Sequence, residues 1–478
     1  MSFVQVTYEL IASSFKDTSN SAWVLAGYNL GHCIALPIYG KMSSFYGTKF
    51  PLVTAYCLFS VGCILSGLGV HLWQVIAGRI ITGLGGSGML ALVSVIITEN
   101  VPPNQVALMR SYVNVVNVIG RAFGGPLGAV VTDALGWRWS FICQVPIALT
   151  CCAFCVIILS TDTKSEDNPE RRIQERKSVK DIDYLGIGAF SISITSLLAS
   201  IQLFGKQGSN SKTALVLLGV AVFFGLVLLL LEAFYSKEPL IPPGLLKTVT
   251  GIYFLAQMIL VLGREAHVST IAPYFLWTED LKSTAAALRL IPSPIGFTIG
   301  SLLSGYIIQR TSKYKTLCMA SLVFTSMVYL VIALRWGYQP YRWENFYILP
   351  AGMGMGAILT CTFVGMTMST PKSMHATAIC IYFLCQQVGG IIGTAAASVT
   401  LRTILNKTLQ DWLNSIPRKQ DVIREILNGS GSLSVPETLR KVVHFAYRHS
   451  FQFVAIIPSL ATALVLPLLY LTPEVKID

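Results

Sequence analysis

Charged side chains are scarce in this chain. Asp, Glu, Lys and Arg make up only 12% of the 478 residues, whereas hydrophobic residues make up 53% and the mean hydropathy is +0.62. A soluble domain normally carries about twice that share of charged residues. The composition therefore excludes an ordinary soluble protein and predicts an all-α polytopic membrane protein embedded in a lipid bilayer.

Several kinds of reactive site are also missing. The sequence has no glycine-rich phosphate loop followed by Lys-Ser or Lys-Thr, no nucleophile elbow and no metal-ligand spacing. The 11 cysteines all fall within apolar segments, which is typical of helix-packing residues and not of a disulfide or metal framework. We therefore predict that the protein is neither an enzyme nor an ATP-driven pump, and that it holds no cofactor or metal.

What the sequence does contain is a succession of apolar runs that predicts about thirteen membrane spans. The runs are Ser21–Gly40, Pro51–Gly69, Leu72–Ile97, Met109–Thr132, Ser140–Leu159, Tyr184–Phe204, Thr213–Glu232, Thr248–Phe275, Ala285–Ile308, Leu317–Leu334, Phe346–Met368, Ala376–Leu401 and Phe451–Leu471. We expect an N-terminal helical bundle over 1–159, a charged cytoplasmic loop at 160–183, two linker spans over 184–247, a C-terminal bundle over 248–471 and a short tail at 472–478.

The first residues do not form a span, because Met1–Phe15 is too short and too polar to cross a bilayer. Either the chain has only the spans given above, or a first span is truncated or missing at its start. The second alternative is favoured, because transporters built from repeats pack their first helix at the central cavity.

Basic residues indicate how the chain is oriented. The excess charge of +12 is spread over short loops and not clustered, which is the positive-inside pattern and does not predict nucleic-acid binding. If loop Lys41–Phe50 is cytoplasmic, the basic segment Lys164–Lys180 lies on the same side. The two glycosylation sequons, at Asn406 and Asn428, then fall together in a long loop (402–450) on the lumenal or extracellular side.

The run Met109–Thr132 carries polar and small residues on one helical face. They are Asn114, Asn117, Arg121, Gly124, Gly125 and Gly128, spaced at three or four residues. A lipid-facing helix gains nothing from this stripe, so we expect its polar half to face a solvated cavity and its glycine half to pack closely on a neighbour. Pro126 adds an irregularity that neighbouring helices can accommodate.

The segment Gly120-Arg-Ala-Phe-Gly-Gly-Pro-Leu-Gly128, followed by Trp137-Arg138-Trp139, resembles the fifth-helix antiporter signature of the major facilitator superfamily. Within that superfamily the chain is most similar to the drug:proton antiporter branch with 14 spans, although Ala129 replaces a further glycine. The long final loop resembles that of the fungal vacuolar basic amino acid transporters. The resemblance implies two pseudo-symmetric six-helix bundles with two linker helices between them.

The segment Gly40-Lys41-Met-Ser-Ser-Phe-Tyr-Gly47-Thr-Lys49 resembles the superfamily's loop between the second and third helices. The family usually has an acid at the position of Ser44 and an arginine at the position of Thr48, and the acid's contact with a helix N-terminus latches one conformation. The absence of the acid predicts a weaker latch. The alternative interpretation is a basic loop without a gating role.

Three charged residues within apolar runs are candidates for the substrate or proton pathway. Arg79 lies a few residues inside its span and could instead extend to the headgroups. Arg121 lies halfway along its span, where an unpaired charge costs at least ~2.5–3.5 kcal/mol, so it should have a partner such as Glu265 or a substrate carboxylate. Glu265 is the preferred proton carrier, and its alternative is a structural ion pair with Arg264.

Uncharged polar residues form a second set of candidates for the pathway. They are Asn29, His32, Tyr382 and Gln386, and each could equally be a hydrogen-bonding residue between helices.

The resemblance implies a secondary active transporter, a proton-coupled antiporter of small organic molecules such as amino acids or drugs. We expect a monomer with a small-molecule substrate and protons as partners, in the vacuolar or plasma membrane of a fungus. A transport-impaired sensor or scaffold on the same fold is the alternative, suggested by Ser44 and Thr48. An integral membrane enzyme is disfavoured, since no catalytic His or Asp cluster occurs.

Overall fold

A computed structural model describes residues 4, 7–17, 20–159, 183–207, 212–236, 239–279, 281, 283–338, 341–412, 423, 426 and 437–474. In these ranges every regular element is a helix. The all-α class expected from the sequence is therefore confirmed.

Each predicted span overlaps one long helix. The long helices are α1 (Ala22–Tyr46), α2 (Lys49–Leu68), α3 (Leu72–Asn100), α4 (Pro103–Leu135), α5 (Gln144–Ile158), α6 (Tyr184–Gln207), α7 (Lys212–Phe234), α8 (Val249–Thr278), α9 (Pro292–Thr311), α10 (Lys315–Arg335), α11 (Ile348–Met368), α12 (His375–Trp412) and α13 (Glu437–Tyr470). Shorter helices are Tyr8–Ser14, Trp139–Ile142, Pro243–Leu246 and Ser283–Leu288, with 3-10 turns at Arg342–Tyr347 and Lys372–Met374.

In the described part of the chain, 11 helices are long and apolar enough to cross a membrane. The polytopic membrane character is thus confirmed. Two long helices, α1 and α9, are not among the 11. Small and polar residues lower the mean hydropathy of both helices. Examples are buried His32 in α1 and buried Ser301 and Ser304 in α9.

Some element bounds differ from those expected. The run Ala285–Ile308 is broken, and α9 begins only at Pro292, whose missing N–H is tolerated in the first helical turn. The run of α12 continues to Trp412, and α13 already begins at Glu437. The expected loop 402–450 is therefore helical at both ends. Its centre and the expected charged loop 160–183 lie almost wholly outside the described residues.

The helices pack in three groups. Helices α1, α2, α3 and α5 form an N-terminal bundle, α8 to α13 form a C-terminal bundle, and the linker helices α6 and α7 pack on each other. The exception is α4, which packs mainly against α9 of the C-terminal bundle and only weakly on its own neighbours. Helix α4 therefore lies where the two bundles meet.

Glycines allow the closest helix contacts. A Cβ added at Gly300 would overlap the carbonyl oxygen of Met353, and one added at Gly356 would overlap that of Phe297. Gly296 and Gly300 in α9 thus face Gly352 and Gly356 in α11, each pair four residues apart. This is the small-residue spacing that lets helix backbones approach closely within a membrane.

The turn between α1 and α2 is the reference point for orientation. It consists of Gly47 and Thr48, and Gly47 has a φ of 70°, a backbone conformation that favours glycine. Because α1 continues to Tyr46, this turn is shorter than the loop Lys41–Phe50 that the sequence predicted. We call the end of the molecule that holds this turn the turn end and the opposite end the far end.

We predict that the turn end faces the cytosol, because the basic loops lie there. Single cysteines placed at Thr48 and at Asn428 in a background lacking reactive native thiols should be labelled by an impermeant reagent from opposite sides of the membrane. Labelling of both positions from one side would contradict this orientation.

Candidate substrate pathway

Helices α1 and α12 join the two bundles in the turn-end half of the molecule. Ser44 Oγ lies 3.3 Å from Thr377 Oγ1, and Gln387 Nε2 donates a hydrogen bond to His32 Nδ1 at 2.7 Å. Between these contacts Gly40 approaches the backbone of Thr377 and the side chain of Cys380. His32, expected in the pathway, is therefore a contact between the bundles in this state.

Helices α4 and α9 form the second seam of the same half. Ser111 Oγ donates to the carbonyl of Ser301 at 2.6 Å, and Asn114 Nδ2 donates to Ser301 Oγ at 3.0 Å. A Cβ at Gly305 would lie 3.0 Å from the carbonyl oxygen of Ala107. Together with the α1–α12 contacts, these hydrogen bonds link the bundles from the turn end to the middle of α1, so the turn end is closed.

The far-end half of α4 has few neighbours. Nothing in the structure comes within 4 Å of a Cβ built at Gly120, and Phe123 is 61% exposed. Arg121, Pro126 and Leu127 are exposed as well. In the glycine half of the stripe, which we expect to pack closely on a neighbour, Gly124 and Gly125 are half-buried and Gly128 is buried. The described hydrogen bonds from α4 to α9 lie in its turn-end half.

Arg121 sits at mid-helix, at the boundary between the closed and the open halves of α4. Its side chain is exposed, and its electrostatic environment includes Arg264, Glu265 and Tyr28. Glu265 itself is bound by Arg264, with Nη2 and Oε1 3.0 Å apart, and both side chains are partly exposed. Among the described residues, Arg121 and Glu265 do not form a salt bridge with each other. Arg121 thus faces the Arg264–Glu265 pair across the bundle interface without being neutralised by it.

Arg79 does not extend to the membrane surface. It is 3% exposed, its Nε donates to the carbonyl of Val24 at 3.3 Å, and its guanidinium carbon lies 4.7 Å from the ring centroid of Tyr28. Phe141 flanks it at 5.8 Å. Arg79 is therefore buried within the N-terminal bundle, next to Tyr28, which in turn neighbours Arg121.

The uncharged candidates separate into two groups. Tyr382 is buried between α11 and α12, where its hydroxyl lies 2.9 Å from Thr362 Oγ1. Gln386 accepts from Gln257 Nε2 at 3.3 Å, which links α12 to α8. Asn117 donates to Val113 of its own helix at 3.1 Å, and Asn29 is half-buried on α1. Tyr382 and Gln386 are thus hydrogen-bonded within the C-terminal bundle, and Asn29 and Asn117 stay pathway candidates.

The loop signature is divided between two helices. Gly40 and Lys41 belong to α1, Gly47 forms the turn, and Lys49 begins α2. Ser44, which stands where the family has an acid, donates to the carbonyl of Gly40 at 3.0 Å and reaches Thr377 of the other bundle. A neutral hydrogen bond between the bundles therefore occupies the place of the expected charged latch.

The two sequons have different surroundings. Asn406 lies within α12, where Gln410 Nε2 donates to its Oδ1 at 3.3 Å, and Thr408 of the same sequon is buried. This placement does not favour modification at Asn406 in the folded protein. Asn428 lies outside the described residues.

Sequence reasoning missed three residues at the bundle interface. Ser301 accepts a hydrogen bond from α4, and Gln387 donates one to α1. Arg110 inserts between two phenylalanines of the C-terminal bundle. Arg110 lies near the start of its apolar run, where an arginine is usually interfacial. The signal that could have found Ser301 is the spacing of small residues in α9, with Gly300, Ser301, Ser304 and Gly305 on adjoining faces.

Several known transporters are similar to this chain in sequence. The chain is 30% identical to the vacuolar membrane amino acid uptake transporter fnx2 of Schizosaccharomyces pombe, over 86% of this chain and 70% of the relative. It is 26% identical to multidrug resistance protein fnx1 of the same yeast, over 94% and 85% of the two chains. It is 23% identical to vacuolar basic amino acid transporter 1 of Saccharomyces cerevisiae, over 95% and 86%.

The fold also has solved counterparts. A proton:xylose symporter of the same superfamily superposes with a TM-score of 0.61 at 14% identity, over 99% of this chain and 92% of that one. The family pattern described as Major Facilitator Superfamily matches residues 1–394. The resemblance to this superfamily is confirmed, and the protein is a transporter and not an enzyme: this chain belongs to the Major Facilitator Superfamily.

Proposed function

We propose that the protein is a proton-coupled antiporter that moves amino acids across a fungal vacuolar membrane. The observation that carries this proposal is Arg121, a guanidinium at mid-helix that is exposed between the bundles and makes no salt bridge with the described acids. A cation at this depth in the membrane needs an anion, and a guanidinium binds a carboxylate through two parallel hydrogen bonds. The vacuolar location and the amino acid substrate are suggested by the relatives' names.

Glu265 is the acid that we assign to proton coupling. It belongs to the electrostatic environment of Arg121, and its ion pair with Arg264 leaves part of its side chain exposed. Such a carboxylate can bind a proton or the ammonium group of a substrate, but not both. That mutual exclusion is the requirement of an exchanger, in which one ligand leaves before the other binds.

Alternating access follows from the contacts between the bundles. The structure is closed at the turn end, and Arg121 is reached from the far end. To release substrate on the other side, the hydrogen bonds of Ser44, His32 and Ser111 must break while the far-end halves approach. The uncharged nature of these bonds makes each one cheap to break, since a typical hydrogen bond contributes only ~0.5–1.5 kcal/mol net.

The test is uptake of a labelled amino acid into vesicles that contain the purified protein. We expect uptake to depend on a pH gradient in the wild type, and Glu265→Gln to abolish the gradient-driven component while counterflow between amino acids persists. Glu279→Gln is the matched control, because Glu279 is also ion-paired with an arginine, Arg289, but lies at the far end of α8. Gradient-driven uptake by Glu265→Gln equal to that of the wild type would exclude Glu265 as the proton carrier.

A transport-impaired sensor is the second candidate, and the observation that favours it is the neutral Ser44–Thr377 contact in place of a charged latch. The same vesicles separate the two functions. A sensor would bind amino acid without any flux, with or without a gradient, whereas flux of drug-like compounds alone would support an exporter of that class.

A further inference from the structure

Arg110 occupies an aromatic slot in the other bundle. It lies on α4 and is 7% exposed. Its guanidinium carbon is 4.7 Å from the ring centroid of Phe363 in α11 and 4.8 Å from that of Phe383 in α12. The electrostatic attraction of both ring faces stabilises a guanidinium that is held between them and largely shielded from water.

The hydrogen bond of Arg110 is made on its own side of the interface. Nη1 donates to Oγ of Ser94 in α3 at 2.6 Å. Helices α3 and α4 lie on one side of the bundle interface, whereas both phenylalanines belong to the other. Ser94 therefore holds the guanidinium from its own side of the interface, whereas the contact with Phe363 and Phe383 crosses the closed interface.

The neighbours of Arg110 place it within the closed seam. Ser111, the next residue, donates to Ser301, and Asn114 one turn later donates to the same serine. The described salt bridges do not include Arg110. Attraction between this charge and the C-terminal bundle thus comes from aromatic faces and not from an acid.

We propose that Arg110 is a cationic plug that holds the turn end closed by inserting between Phe363 and Phe383. The plug supplies the charged latch that Ser44 cannot supply. A guanidinium suits this role because it is weakly hydrated and planar, so it stacks on aromatic rings in the closed state and regains water when the seam opens. Arg110 acts as a positioning residue for the transport cycle and does not contact substrate.

The test is the accessibility of Cys380, a native thiol that is buried in the α1–α12 seam beside Gly40. A charged, impermeant thiol reagent is applied to the turn end of substrate-free protein in vesicles, and peptide mass spectrometry measures the modified fraction of Cys380. We expect Arg110→Gln to raise the modification rate at least about tenfold, which corresponds to loss of one desolvated cation–π contact. Arg110→Lys should give an intermediate rate, since it keeps the charge but not the planar group.

Two further variants separate this role from a general loss of stability. Phe383→Leu should raise the rate to a similar extent, and adding it to Arg110→Gln should produce little further increase, because both changes remove the same contact. Arg289→Gln is the matched control, since Arg289 also lies over an aromatic ring, Phe275, but within one bundle. Its Cys380 rate should equal that of the wild type.

A wild-type rate in Arg110→Gln, at an unchanged thermal unfolding midpoint, would overturn the proposal. So would full additivity of Arg110→Gln and Phe383→Leu. The measurement needs no substrate and no proton gradient, so its failure is distinct from failure of the proposed antiport.

Discussion

Arg121→Ala is expected to reduce amino acid uptake to the level of vesicles without protein. The guanidinium is exposed at mid-helix between the bundles, and no described acid forms a salt bridge with it. Loss of a charge-assisted pair with a substrate carboxylate removes about 2–5 kcal/mol, or at least roughly 30-fold in affinity. Uptake of carboxylate-bearing substrate and its binding to detergent-solubilised protein are the measurements.

Two companions of this variant identify the partner of Arg121. Arg121→Lys should restore uptake only in part, because lysine offers a point charge without the donor fork. If Glu265 shares the charge of Arg121, Arg121→Ala combined with Glu265→Gln should express better than Arg121→Ala alone. If the substrate carboxylate is the partner, Arg121→Ala should express normally. Wild-type uptake by Arg121→Ala would show that this helix does not carry the substrate site.

Gly300→Val is expected to prevent the C-terminal bundle from folding. Even a single methyl group at this position would overlap the carbonyl oxygen of Met353, and the backbone of α11 cannot yield as a flexible side chain can. Overpacking of a tight contact typically costs about 1–3 kcal/mol, and a clash with helix backbone should lie at or above the upper end. Fluorescence-detected gel filtration of a tagged variant measures the folded fraction, which we expect to be near zero.

Gly219→Val is the matched control for that experiment. Gly219 lies in α7, where nothing comes within 4 Å of an added Cβ, and the same substitution should leave the gel-filtration profile unchanged. A monodisperse Gly300→Val protein with a wild-type unfolding temperature would show that α9 and α11 are not in close contact.

Helix α4 shows why the fold could be predicted from the sequence more fully than the site. Its length and apolar character required a span whatever its neighbours, and the run Met109–Thr132 overlaps the helix that formed. Which parts of that span are covered depends on α9, which is distant in sequence. The stripe from Asn114 to Gly128 therefore indicated a special face but not which of its residues α9 would contact.

The outcomes for Arg79 and Arg110 have a similar cause. Sequence position suggested pathway chemistry for Arg79 and gave no prediction for Arg110, yet each guanidinium is buried against aromatic rings. The rings come from other helices, so no local pattern reveals them. The Arg264–Glu265 pair, by contrast, is formed by adjacent residues and was anticipated as an alternative for Glu265.

The side-chain contacts that we describe between the bundles at the turn end are not ion pairs. They are hydroxyl, amide and imidazole hydrogen bonds together with a desolvated guanidinium between two rings. Dissolved ions weaken exposed charge pairs within a Debye length of about 8 Å at physiological ionic strength, but act far less on buried contacts. A rise or fall in cytosolic potassium during osmotic stress should therefore have little effect on these contacts. The equilibrium between the closed and the open turn end that they set should change little as well.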